Sequence, residues 1–360
     1  MSCGCAGPGR AASHLLLEYT DADGVPMPGQ WFADPHRLRR TAARTPAPAE
    51  VVREAGVLLQ PAGADRRLPG LRTLLQEPAN TLVVHRPERR GVVRMATGTS
   101  YAKVVRPGRS AHLVDNLARA DAAAAFAVPR VVDHDSAAGT VVCTTLDGRT
   151  LYDIGADPSW STAAAWRTWR AVGDALRTLH DAPLDDALPE HGASREHDTT
   201  ADWQHAAVRH GLLPPVDVDA ALRELRAGAP GPLGLLHRDL HDKQLVRRPD
   251  GGIGLVDLDT LAVGECALDL ANLLTHLELR VAAGRLAGAT AAAARAGFLT
   301  GYRPDTATLT RIPAYTPTTT SGLRLPPPPH LTPAHLSPTV TAAVSAPATS
   351  AVTDTEPETA

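Results

Sequence analysis

Apolar residues occur in short, turn-bounded runs up to residue 147 and at helical spacing beyond it. TLVVH (81–85), GVVRM (91–95) and SYAKVV (100–105) are Val-rich and separated by the turns RPERRG and ATGTS, which predicts three antiparallel strands. Upstream, HLLLEYT and VPMPGQWF flank DADG, whose Asp-Gly step favours a hairpin or two short edge strands. Segments 36–45 and 68–77 predict short helices, 110–126 a longer one, and VVDHDSAAGTVVCTTL (131–146) another hairpin. Past Asp147-Gly148, residues 161–182 place Trp166, Trp169, Val172, Leu176 and Leu179 on one helical face. The two tryptophans are expected in the core rather than in a ligand box, because large aromatics at this spacing are more often buried. Helices over 217–228, 265–284 and 285–302 follow, with the hairpin QLVRR-PDGG-IGLVDLD after the first.

From Pro304 the period gives way to PPPP and repeated Thr-Pro and Ala-Pro steps, a composition with too little apolar surface to offset ordering entropy. The order predicts an α+β chain. Residues 1–48 form an N-terminal extension with a possible hairpin, 49–147 a β-rich lobe, 148–303 a mainly helical lobe, and 304–360 a disordered tail. That tail is either a natural extension or the product of a reading-frame change that removed a closing helix.

Composition mainly excludes. A net charge of -3 gives no electrostatic reason to expect nucleic acid or a membrane surface as partner. Cys3, Cys5, Cys143 and Cys266 are too few and scattered for a disulfide framework, and the Cys3/Cys5 pair has no second ligand pair nearby. With no charged-then-apolar leader and no membrane-length apolar run, a cytoplasmic protein is expected.

Candidate chemistry concentrates in LLHRDLHDKQLV (235–246). His237 and His241 have the spacing of helical zinc ligands, but no His-Glu-x-x-His pattern is present and a hairpin follows, so zinc is set aside. Gln244 stands five residues after Asp239 and thirteen before Asp257, at the two ends of the predicted hairpin. That hairpin would bring an amide oxygen and a carboxylate together as hard donors suited to Mg²⁺, leaving Asp239 to orient a hydroxyl nucleophile and accept its proton. Such a set serves phosphoryl transfer, where catalysis is mainly positioning and charge stabilisation. A lysine from the β-rich lobe should grip the phosphates, and Lys103 in SYAKVV is one of only two in the chain, the other being Lys243. An ordinary edge-strand lysine is the competing reading.

The ordered set YAKVV, HRDLHDKQ, GLVDLD and ALDLANLL resembles the aminoglycoside phosphotransferase and choline kinase-like family, over roughly residues 80–303. The resemblance implies a protein-kinase-like two-lobed fold and ATP- and Mg²⁺-dependent transfer of the γ-phosphate to a small-molecule hydroxyl on an aminoglycoside, sugar or amino alcohol. It implies Asp239 as the catalytic Asp, Gln244 and Asp257 as Mg²⁺ ligands, and Lys103 as the phosphate lysine. Backbone groups of Thr145 and Leu146 would meet the adenine, and Asp121 or, as second choice, Asp115 would be the ion-pair partner of Lys103. Asp269 would brace the catalytic loop, unless it merely caps its helix. His237 and His241 are expected to support the loop rather than react, and Asp259 to make an outer contact to the metal.

Four departures distinguish this chain. Arg238 stands where the family has a small Gly, and the helix after Lys103 carries no Glu. Gln244 stands where the family has Asn, and the turn RPERRG stands where a glycine-rich phosphate loop would be. They leave open a kinase-like nucleotide-binding or regulatory protein with impaired turnover. Asp181, Asp185, Asp186, Glu190, Glu196, Asp198 and Asp202 form an acidic connection that would attract a cationic acceptor, if it is more than a solvated loop.

Overall fold

A computed structural model describes residues 14–20, 26–184, 187–209 and 222–323. The DADG turn, Cys3 and Cys5, Asp185 and Asp186, residues 217–221 of one predicted helix and everything after residue 323 lie outside the described residues.

The chain opens with strands β1 (His14–Thr20) and β2 (Pro26–Phe32), which pair antiparallel as the sequence pattern suggested. Helix α1 (Pro35–Ala42) follows, its first turn capped by the Asp34 carboxylate, which accepts from the His36 N–H at 2.8 Å. Strands β3 (Glu50–Val52) and β4 (Val57–Leu59) then join β2 in a sheet ordered β1-β2-β4-β3. The strands of this sheet come from both sides of residue 48.

The next sheet positions one half of the site. Strands β5 (Thr81–Arg86), β6 (Arg90–Arg94), β7 (Ser100–Val104), β8 (Val131–Asp135) and β9 (Thr140–Thr144) form an antiparallel sheet in the order β5-β6-β7-β9-β8. Side chains alternate across a strand, so Ala102 and Val104 of β7 are buried with Val93, Leu68 and Leu71, the last from helix α2 (Pro69–Leu74). Lys103 therefore points to the opposite face. There, helix α3 (Ala111–Ala122) ties the sheet to the second lobe through Asn116, whose amide donates to the Leu258 carbonyl at 2.9 Å.

Residues 145–148 cross between lobes and continue into β10 (Arg149–Thr150) and α4 (Leu151–Gly155). Gly148, at φ 138°, lies so close to the Arg247 carbonyl that a Cβ would collide with it. The long helices α5 (Thr162–His180) and α6 (Ala193–Arg209) and the short α7 (Arg223–Ala227) follow. Part of the connection read from sequence as an acidic loop is thus the helix α6.

Strands β11 (Leu233–Leu236) and β14 (Ala262–Glu265) pair with each other, while β12 (Leu245–Arg247) and β13 (Ile253–Leu255) form the predicted hairpin, joined by β10. Helix α8 (Ala267–Ala282) runs through the lobe's centre with every residue from Ala267 to Leu277 buried, the signature of a helix enclosed on all sides. Helix α9 (Gly288–Tyr302) crosses α5 at backbone contact, because Gly173 and Gly301 leave no side chain in the way. Trp169 is buried there against Phe298, rings 6.3 Å apart and edge-on, as the core reading required; Trp166 is half-buried, with Arg170 over its ring.

Helix α10 (Thr306–Leu323) corrects the expectation that order ends at Pro304. Thr-rich and carrying Pro313 and Pro317, it has poor intrinsic helix propensity. Tertiary contacts hold it: Arg311 forks onto both Glu265 oxygens at 2.6 and 3.0 Å, and Tyr315 is buried with Leu225, Leu236 and Leu268. No helix among the described residues is long and apolar enough to cross a membrane.

Candidate active site

The loop after β11 is built around Asp269. This carboxylate sits in the first turn of α8 yet caps nothing there; it accepts from the backbone N–H groups of His237 and Arg238, both at 2.8 Å. Arg238 takes the left-handed conformation, φ 74°, that turns the chain outward. Asn272 donates to the Arg238 carbonyl at 2.8 Å, Thr260 to the His237 carbonyl at 2.7 Å, and the His237 ring pairs with the Val256 carbonyl at 3.0 Å. Backbone polar groups of 237–238 are thereby satisfied from two elements, α8 and the turn at 258–260, and Asp239 is left exposed at the loop's rim.

Beneath Asp269 lies a buried His180, its Nε2 at 3.2 Å from the carboxylate and its Nδ1 at 2.8 Å from the Tyr302 hydroxyl. Burial opposes charge on this ring most strongly, but hydrogen bonds and charge interactions with Asp269 and Cys266 together outweigh it and raise its pKa to about 9. Asp269, though also desolvated, is held below the usual carboxylate range by His180. Because the folded pKa of His180 exceeds its ordinary value near 6.5, its contribution to stability is complete below about pH 6.5 and lost as pH rises through about 9. The denaturation midpoint should therefore fall between roughly pH 7 and pH 10, and His180→Gln should flatten that fall; equal slopes in the two proteins would contradict the charged pair.

The predicted hairpin forms, with Leu245 opposite Leu255 and the Val256 N–H donating to the Gln244 carbonyl at 3.0 Å, so that Gln244 stands beside Val256, the residue before Asp257. The Gln244 Oε1 accepts from the His241 N–H at 3.1 Å, so the longer side chain folds back on its own loop. Asp257 is left-handed, φ 64°, and its Oδ1 lies 3.0 Å from Lys103 Nζ and 3.3 Å from Arg90 Nη1. Asp259 completes the cluster, 2.5 Å from Lys103 and 3.3 Å from Arg90. Burial raises the pKa of Asp257, but Lys103 and Arg90 overcome it and hold the group well below the carboxylate range.

Lys103 is thus paired with Asp257 and Asp259. The expected partner Asp121 is exposed on α3, and the α3 residue that reaches this region is Asn116. Arg90 and Asn116 were missed by reasoning from sequence; the only available signal for Arg90 was the unusual arginine density of RPERRG. At the interlobe crossing the Thr145 N–H donates to the Thr99 carbonyl at 2.9 Å, which turns this donor away from any ligand, while Leu146 packs over Gly254.

The remaining loop groups are structural. Asp242 forms a two-bond pair with Arg280, both at 2.9 Å, and His241 lies against His276, ring centroids 4.8 Å apart. Burial lowers both imidazoles to about 4, which keeps them neutral near pH 7. Three of the five described acids of the connection are paired within the chain: Glu196 with buried His191 at 2.7 Å, Asp198 with Arg226 at 2.7 Å, and Asp181 with Arg177 at 2.7 Å.

No group of three or more His, Cys, Asp or Glu that could hold a metal occurs among the described residues. The donor set nonetheless fits Mg²⁺, which takes one or two protein oxygens and completes its shell with water and phosphate. Asp257 offers a carboxylate at a partly open cleft, and the Gln244 amide oxygen retains a second lone pair.

A β-rich lobe carrying an ion-paired lysine, over a helical lobe with a braced loop and a left-handed Asp, defines a protein-kinase-like phosphotransferase fold. A sequence model of the phosphotransferase enzyme family matches residues 74–309, and the chain belongs to that family. An aminoglycoside phosphotransferase from Streptomyces rimosus is 21% identical, with 69% of this chain and 96% of that one aligned at a TM-score of 0.50. An amicoumacin kinase solved with AMP-PNP and Ca²⁺ is 16% identical, with 68% and 79% aligned, also at 0.50. A choline/ethanolamine kinase family protein from Mesorhizobium loti is 17% identical, with 69% and 78% aligned at 0.45. At these identities the two likenesses at 0.50 show the fold alone. A comparison with curated proteins found no match.

Proposed function

We propose that this protein transfers the γ-phosphate of ATP to a hydroxyl of a small molecule such as an aminosugar, sugar or amino alcohol. The observation that carries the reading is the opposition of the Asp269-braced loop, presenting Asp239, to the Lys103–Asp257–Asp259 cluster. In this reading Asp239 orients the acceptor O–H and takes its proton as the new O–P bond forms and the bond to the ADP leaving group breaks. Lys103 exchanges carboxylates for phosphate oxygens, and Leu146 with the Thr145 carbonyl lines the adenine edge. Gln244 and Asp257 would hold Mg²⁺, which supplies charge neutralisation on the phosphates. The amicoumacin kinase, solved with a triphosphate analogue on the same fold, supports nucleotide use.

One observation favours a second reading, a nucleotide-binding protein with impaired turnover: the Gln244 Oε1 is already engaged by the His241 N–H. ADP release measured against a panel of aminosugars, sugars and amino alcohols separates the two. Acceptor-dependent ADP release is the expected result. Nucleotide binding that is indifferent to Mg²⁺, with no acceptor-dependent turnover, would establish the second reading instead.

A further inference from the structure

The turn between β5 and β6 lies where a glycine-rich loop would cover a triphosphate with backbone N–H groups, but it reads Arg86-Pro87-Glu88-Arg89-Arg90. It is pinned from behind. The buried Asp65 accepts from the Glu88 N–H at 2.6 Å and pairs with His85 at 3.0 Å. Glu88 is gripped by the Arg66 fork at 2.7 and 2.9 Å, and Arg106 donates to its carbonyl at 3.0 Å. With Glu88 and Asp65 held on the outer side, the strand register sets Arg86 directly opposite Arg90 at the cleft.

The positive charge on this side is only partly met. Arg90 shares Asp257 and Asp259 with Lys103 through a single nitrogen, Nη1, and its buried Nε has no hydrogen-bond partner. Arg86 is half-buried, desolvated, repelled by Arg90, and attracted by Asp257 and Asp239, the groups that define the proposed reaction centre. Two guanidiniums held side by side with an unsatisfied buried donor form a preorganised receptor for a multiply charged anion, and guanidinium forks match phosphate geometry.

We propose that Arg90 and Arg86 are phosphate-binding residues of the nucleotide site, replacing by side-chain charge the backbone contacts of a glycine-rich loop. Arg90 holds Asp257 and Asp259 until the triphosphate arrives and then transfers its guanidinium to the phosphate oxygens, while Arg86 contacts the same group from the paired strand. The assignment rests on the nucleotide-dependent reading above.

The test is calorimetric titration of the full chain, with and without Mg²⁺, by ATP, ADP and adenosine. Arg90→Ala should weaken ATP by about 10–100-fold, the usual effect of losing a charge-assisted contact, with adenosine affinity unchanged. Arg90→Lys should recover part of that loss. If Arg90→Ala does not fold, Arg86→Ala carries the same comparison and should also weaken ATP selectively. Unchanged or tighter ATP binding in a folded Arg90→Ala protein, or equal losses for ATP and adenosine, would overturn the assignment. Wild-type protein that binds neither ATP nor adenosine would instead overturn the nucleotide reading itself.

Discussion

Asp239→Asn is expected to lower turnover by about 10²–10⁴-fold while nucleotide affinity stays close to wild type. The amide keeps the size of the side chain but cannot accept the acceptor's proton at neutral pH. The brace is untouched, because Asp269, Asn272 and Thr260 bind the backbone of 237–238 and not the Asp239 side chain. The nucleotide contacts assigned to Lys103, Asp257 and Arg90 lie on other elements. A fall confined to kcat in steady-state and single-turnover assays, with unchanged ATP titration, is the expected signature. Wild-type turnover in this variant would remove Asp239 from the chemistry.

Asp269→Ala is expected to destabilise the protein by about 3–5 kcal/mol, the range seen when one partner of a buried ion pair is removed. Two backbone N–H donors lose their acceptor and the buried His180 loses the partner that keeps it protonated, at a place where Asp269 is wholly buried. Since domains are stable by only about 5–15 kcal/mol, much of the margin would go. Asp269→Asn retains one acceptor oxygen and should lose less. Denaturant midpoints of the two variants provide the check, and a loss below about 1 kcal/mol for Asp269→Ala would contradict a charged brace.

Local pattern was enough to read the strands on either side of RPERRG and ATGTS, the hairpin that joins Gln244 to Asp257, and the apolar face of α5. These features depend on neighbours a few residues apart, where side-chain period and turn chemistry act directly. The order of motifs in the second half likewise pointed to the family, and the placement of Asp239 in a turn between β11 and the hairpin followed from it.

Partner choice over long separations was not legible. Lys103 pairs with carboxylates 154 and 156 positions away rather than with Asp121, because strand alternation turns it toward the cleft while α3 presents Asn116, not an acid, to that region. Gln244 looked from sequence like a ligand with an extra methylene; the folded loop shows that methylene letting Oε1 reach back to the His241 N–H. Helix α10 was unreadable for the opposite reason: its own residues disfavour a helix, and the Glu265 and apolar surface that stabilise it come from elsewhere in the chain. Sequence by itself determined the elements and the chemical inventory of the loop. Only the tertiary structure decided which charges meet, since electrostatic and packing partners are selected by distance in space and not by distance along the chain.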